Sequence, residues 1–135
     1  MPVKKIFLTI DDDADDRFFF KRAVKKMDDQ YECLEAADGH DAIEQLKNTT
    51  ELPHYIFLDL NMPRMNGMEC LATLKKEERL KDIPVIIYST STHSRDMELS
   101  SQLGAIYYLS KPVNVQQLPE LLSKTIATVE AKLAS

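Results

Sequence analysis

Tyr55-Ile56-Phe57-Leu58-Asp59-Leu60-Asn61-Met62-Pro63 decides the fold. A short apolar run ends in an aspartate, and Pro63 and then Gly67 follow closely. So short a run, bounded by turn formers, reads as a strand buried on both faces, as in a parallel sheet covered by helices. Asp59 then stands at or just past the strand's carboxyl end, the edge where open α/β sheets hold ligands. Taken alone, Asp59 reads as a turn starter, because Asp, Asn and Pro all crowd into turns. The rest of the chain changes that reading.

The same pattern recurs on either side. Residues 4–10 (KKIFLTI) form a strand that runs into Asp11-Asp12-Asp13. Asp13 can cap the next helix, and Asp15 and Asp16 suit its positive first turn. Capping leaves Asp11 and Asp12 unexplained, since they precede the cap. The helix over 14–27 buries Phe19, Phe20, Ala23, Val24 and Met27 at helical spacing, with Phe18 outside the stripe. A weaker strand over 31–37 leads through Asp38-Gly39 into a helix over 39–48, with Ala42, Ile43 and Leu46 inward.

Beyond Pro63 a turn opens a helix to about residue 78, with Met68, Leu71 and Leu74 inward, and residues 75–82 read as solvated. Residues 84–88 (PVIIY) are a strand that delivers Ser89, Thr90 and Ser91. The helix over 95–103 is weakly amphipathic, with Met97, Leu99 and Leu103 as its inward residues and Gly104 as its stop. Residues 105–110 (AIYYLS) lead into Lys111-Pro112. The last helix, 115–133, carries Val115, Leu118, Leu122, Ile126, Val129 and Leu133 along one side. Pro119 predicts a loose or 3₁₀ first turn there, with regular helix beyond it.

A βα unit repeated through the chain predicts an α/β fold: a parallel five-stranded sheet, helices on both faces, right-handed crossovers. At 135 residues, 44% hydrophobic and 29% charged, the expectation is one globular domain over 1–135 with no output domain. A net charge of −5 disfavours nucleic acid. Cys33 and Cys70 lie in no CxxC pattern and read as reduced thiols, which argues against a sulfur-held metal. With no signal-like or membrane-length apolar run, a cytoplasmic location and no membrane contact are expected.

In a parallel sheet all strand ends of one kind share an edge. Asp11, Asp12, Asp59, Ser89 and Lys111 then meet in one crevice. Carboxylates that close cannot all stay ionised without compensation. A hard divalent cation with oxygen ligands, best Mg²⁺, and the Lys111 ammonium supply it. Phosphoryl transfer fits this set, with Asp59 as nucleophile and Ser89 within reach of a new phosphoryl oxygen.

These residues resemble the receiver domain of two-component response regulators. The matching pieces are Ile10-Asp11-Asp12-Asp13, Phe57 to Pro63 with Gly67, Pro84 to Ser89, Gly104-Ala105, and Tyr108 to Pro112. The resemblance implies the flavodoxin-like (βα)5 fold with strand order 2-1-3-4-5. It also implies that Asp59 accepts a phosphoryl group from a phosphohistidine on a sensor histidine kinase or histidine phosphotransfer protein. Asp12 and Asp59 would bind Mg²⁺ through side chains, Asn61 through its backbone carbonyl, and Asp11 through a metal-bound water. Lys111 would pair with the phosphoryl group, through a cis peptide to Pro112. Ser89 and Tyr108 would be the switch pair, and Asn61 and Ser91 would tune the lifetime of the aspartyl phosphate.

On this reading the chain is a phospho-switch rather than an enzyme. It changes the surface of the fourth helix, fifth strand and fifth helix for an unidentified downstream protein, as a monomer or weak homodimer. The alternative is a phosphorelay intermediate serving a second histidine protein, which Phe18 favours because such partners dock near the first helix in this family. A Mg²⁺-dependent aspartyl-phosphate phosphatase is disfavoured, because Asn61 stands where such enzymes carry a second aspartate as acid/base.

Overall fold

The computed structural model describes residues 4–62 and 65–135. Strands β1 (Ile6–Ile10), β2 (Glu32–Ala36), β3 (Tyr55–Leu58), β4 (Val85–Ser89) and β5 (Tyr107–Ser110) alternate with helices α1 (Ala14–Met27), α2 (Gly39–Asn48), α3 (Gly67–Lys76), α4 (Ser94–Gln102) and α5 (Leu118–Ala134). All pairings are parallel, in the order β2-β1-β3-β4-β5. The expected flavodoxin-like order is therefore the observed one. No helix among the described residues is long and apolar enough to cross a membrane.

The period-2 alternation of the strands splits the core into two layers. Phe7, Tyr55, Phe57, Ile86 and Tyr88 face α1 and α5, where Phe20, Val24, Leu118, Leu122 and Val129 meet them. Leu8, Ile10, Ile56, Leu58 and Ile87 face the other way, onto Ala42, Leu46, Cys70, Leu71 and Leu74. The first layer is aromatic: Phe20 lies 4.9 Å from Phe57 and 5.5 Å from Tyr88 between ring centroids. Every residue of β1, β3 and β4 is buried, which explains their near-continuous apolar runs.

Helix ends follow local chemistry. The Asp13 carboxylate accepts from the amides of Asp15 and Asp16 and caps α1. At α3, the Asn66 side chain accepts from the Glu69 amide, and the Glu69 carboxylate accepts from the Asn66 amide. Asn66→Ala is expected to cost about 1 kcal/mol in urea-induced unfolding without touching the strand edge. Gly104 has φ +108 after α4, a conformation side chains resist. The first turn of the last helix is 3₁₀ (Val115–Gln117), and α5 opens with Pro119 inside its first turn, as its missing amide predicts.

Some expectations fail. Met97 and Leu99 are 37% and 40% exposed, and the buried residue of α4 is Ser100. Its hydroxyl donates to the Met97 carbonyl, so α4 approaches the sheet through a small, self-satisfied residue. Val115, in the 3₁₀ turn before α5, and Leu133, in the last turn of α5, are also exposed. On α3, Cys70 is fully buried and Met68 only partly so. Residues 75–82 are not simply solvated. Leu80 is buried, Lys75 Nζ donates to the Lys81 and Ile83 carbonyls, and Arg79 ties to the Leu46 and Thr49 carbonyls. Their long stems cover apolar surface while their heads cap loose carbonyls. Pro63 and Arg64, expected in the turn before α3, lie outside the described residues.

Cys33 and Cys70 are free, as expected, and burial pushes both thiols up to about 12.

Candidate functional site

The carboxyl ends of β1, β3, β4 and β5 meet at one edge of the sheet. Asp11 and Asp12 follow β1, Asp59 follows β3, Ser89 ends β4, and Lys111 follows β5. The sheet itself sets this convergence. The Asp59 amide donates to the Ile10 carbonyl at 2.9 Å, and the Lys111 amide donates to the Ser89 carbonyl at 2.9 Å. Asp11, Asp59 and Lys111 thus begin where the ladder releases the chain, and Ser89 is the last residue of its strand.

Carboxylate oxygens of Asp11, Asp12 and Asp59 all lie within 4.8 Å of one another. Asp11 is 1% exposed and Asp59 6%, while Asp12 faces solvent. Burial pushes the Asp59 carboxyl up to about 6, against the pull of the Lys111 charge, and the charge of Asp11 adds to the rise. An amide donated by Asn61 opposes it. Burial likewise raises Asp11, although Lys111 and the Asp13 amide both donate to it. The negative charge here is only partly compensated by the protein. Oxygen-only donors carrying such excess charge fit a divalent cation.

Lys111 Nζ donates to Asp11 Oδ2 and to Asp16 Oδ2, each at 2.8 Å, and stands 3.7 Å from Asp59 Oδ2. It lies 5.5 Å from the centroid of the Tyr88 ring. Burial alone would lower its pKa, but the hydrogen bonds to Asp11 and Asp16 and the charges of Asp11 and Asp59 hold it above its ordinary value. The Lys111–Pro112 peptide, expected cis, is trans. Trans is the isomer an X–Pro bond prefers by about 0.5–1 kcal/mol when nothing else selects.

Ser89 is fully buried, and its Oγ accepts from the Ser91 amide at 3.1 Å. Tyr108 sends its hydroxyl to the Ser91 carbonyl at 2.8 Å. Both residues of the expected switch pair therefore engage the same residue of the β4–α4 loop. The Ser91 hydroxyl donates to Asp96 Oδ2 at 2.6 Å, which joins that loop to α4.

Two contributors went unread in the sequence. Asp16 fits its place as a first-turn helix acid, and nothing in the one-dimensional pattern marks it as a partner of Lys111. Arg17 Nη1 donates to the Asp11 carbonyl at 2.7 Å, and its Nε donates to Glu35 Oε1 at 2.8 Å. Lys21 Nζ also donates to Glu35. This bracket fixes the end of β1 against β2, and its two cations hold the Glu35 carboxyl below its usual range.

Comparison with known proteins bears on the chain and its fold as a whole. A family model described as the response regulator receiver domain matches residues 7–123. The chain is 34% identical over 122 residues to the response regulator Rcp1 of Synechocystis sp., covering 87% of this chain and 82% of Rcp1. It is 28% identical over 125 residues to the sensor histidine kinase CheAY of Helicobacter pylori, covering 93% of this chain but 15% of that much longer protein. Among solved structures, the phosphorylated cyanobacterial phytochrome response regulator RcpA superposes with a TM-score of 0.84 at 29% identity, over 91% of each chain. The Mn²⁺-bound form of Rcp1 gives 0.77 at 30% identity, over 87% of this chain and 88% of that one.

Proposed function

Because the chain belongs to the response regulator receiver domain family, we propose that it is a phosphorylation-dependent switch whose acceptor is Asp59. The observation that carries this is the convergence of Asp11, Asp12 and Asp59 within 4.8 Å, with Lys111 beside them. Asp59 attacks the phosphorus of a phosphohistidine on a sensor kinase or phosphotransfer protein. The new bond joins an Asp59 oxygen to phosphorus, and the bond to the histidine nitrogen breaks.

Asp12 and Asp59, with Asn61 and Asp11 in support, would hold Mg²⁺, which would supply the positive charge that a carboxylate nucleophile and an incoming phosphoryl group both lack. Lys111 then pairs with the phosphoryl oxygens, and its Nζ already stands 3.7 Å from Asp59. The Ser89 hydroxyl supplies a further donor once it leaves the Ser91 amide.

The switch follows from that exchange. A phosphoryl group adds charge and acceptor oxygens at one strand end. Moving Ser89 releases Ser91, and Ser91 also holds the Tyr108 hydroxyl and Asp96 of α4. With Ser100 as its one buried residue, α4 has little apolar anchorage against displacement. The face of α4, β5 and α5 is the surface offered to a downstream protein in the cytoplasm.

The test is incubation with phosphoramidate and Mg²⁺. A single hydroxylamine-labile phosphoryl group mapping to Asp59 is the expected product. Labelling elsewhere, or none, counts against the reading.

A second reading, a phosphorelay intermediate, draws on Phe18. It is 56% exposed on α1, edge-on to Phe19, with the Arg22 guanidinium 6.0 Å from its ring centroid. That is the profile of an aromatic docking anchor beside the site. Transfer of label from the phosphorylated chain to a histidine phosphotransfer protein separates it from a terminal switch.

A further inference from the structure

Lys111 is held from two sides, and the phosphoryl chemistry uses only one of them. Asp11 belongs to the carboxylate cluster. Asp16 does not: it sits in the first turn of α1, one turn past the cap. Yet Asp16 Oδ2 takes a hydrogen bond from Nζ as short as the one Asp11 takes, 2.8 Å. Asp59 is left at 3.7 Å, an ion-pair distance beyond hydrogen-bond reach. An ammonium has three donors and acts as a compact point charge. Two of them are spent on carboxylates that are not the acceptor.

Resting on the phosphoacceptor reading, we infer that Asp16 is a positioning residue, a latch that ties the Lys111 ammonium to α1 and holds it off Asp59. Short charge-assisted hydrogen bonds outweigh a longer ion pair, so the resting lysine stays with Asp16. The Lys111 side chain is 10% exposed, while that of Asp16 is 35% exposed, so the latch carboxylate is the more hydrated partner. It is therefore the easier one to leave. A phosphoryl group offers up to two charges and three acceptor oxygens, enough to draw the ammonium away. Release also separates the loop after β5 from α1, a contact the phosphoryl-bearing state no longer keeps.

Four proteins test this: wild type, Asp16→Asn, Lys111→Met and the double variant. In metal-free protein the ¹³Cγ resonance of Asp59 is expected to move on Asp16→Asn, because the lysine shifts toward Asp59, and to stay in place when Lys111 is already methionine. With Mg²⁺, beryllofluoride is expected to bind Asp16→Asn about fivefold more tightly, with no such gain in the Lys111→Met background. Asp16→Glu restores wild-type behaviour in both measurements. An unmoved Asp59 resonance overturns the latch. So does a gain of equal size without Lys111, which would mean that Asp16 acts on the anion through space. Wild-type protein that binds no beryllofluoride counts against the phosphoacceptor reading, while the metal-free resonance still decides the latch.

Discussion

Asp59→Asn is expected to abolish acyl-phosphate formation and, in metal-free buffer, to make the fold more stable. The first effect follows from the chemistry, since an amide oxygen cannot attack phosphorus as a carboxylate does. The second follows from burial. Asp59 is raised from 3.8 to about 6 because desolvation outweighs the attraction of Lys111 at 3.7 Å. An acid whose folded pKa is raised loses stability on ionising. Between about pH 4 and 6 the folded chain binds more protons than the unfolded chain, so the wild type weakens as pH rises through that window. Above it the cost is complete, of the order of 1–3 kcal/mol. Asparagine keeps the shape and can still accept from the Asn61 amide without the charge. Urea unfolding with chelator should show the variant ahead at pH 7 and the gap closing toward pH 4. An equal gap at both pH values would mean that the charge of Asp59 is not the source of the strain. Added Mg²⁺ should narrow the gap at pH 7, since only the wild type presents the full carboxylate set.

The sheet was legible because its strands are buried on both faces. Tyr55–Leu58 has no charged residue to confuse the reading, and Pro119, which has no amide to donate, fits the first turn of α5 just after the 3₁₀ turn that Asn114 caps. The candidate site's convergence was legible because the sheet gathers residues that end or follow its strands. What escaped has one cause: contacts that depend on how separate elements approach. Asp16 reads as an ordinary helix acid until α1 comes within hydrogen-bond reach of the residue after β5. Ser100 carries no hydrophobic signal, yet it is the residue small enough to sit beneath α4, and the larger Met97 and Leu99 turn outward. Arg79 and Lys75 look solvated until the carbonyls they cap are known. Periodicity reports the solvent side of an element, not the partner across the gap.

Gly67→Ala is expected to destabilise the protein by about 2–3 kcal/mol or more, with the opposite sign to the usual effect of alanine in a helix. Gly67 is the first residue of α3, and its amide donates to the Leu60 carbonyl at 2.9 Å. A Cβ there would lie 2.3 Å from the Asp59 carbonyl oxygen and 2.5 Å from Leu60 Cα. Both neighbours are backbone, so neither can rotate away. The Asp59 peptide is itself pinned to the sheet through its amide and the Ile10 carbonyl. Either α3 must retreat from its packing on Leu58 and Ile87 or Asp59, the proposed acceptor, must move. Displacing a nucleophile by about 1 Å costs on the order of a hundredfold in rate. Labelling by phosphoramidate should therefore fall with stability, even under conditions where the variant is folded. Gly39 is the matching control, because it is also the first residue of its helix, α2. There the nearest atoms to the added Cβ are all in the Met65 side chain, at 2.8 Å from its sulfur, 2.9 Å from Cγ and 3.1 Å from Cβ, and none is backbone. The methionine can shift as a side chain where a peptide of the sheet cannot, so Gly39→Ala should cost less and leave labelling intact. Equal losses at the two glycines would show that helix-start geometry, and not the approach to Asp59, governs both.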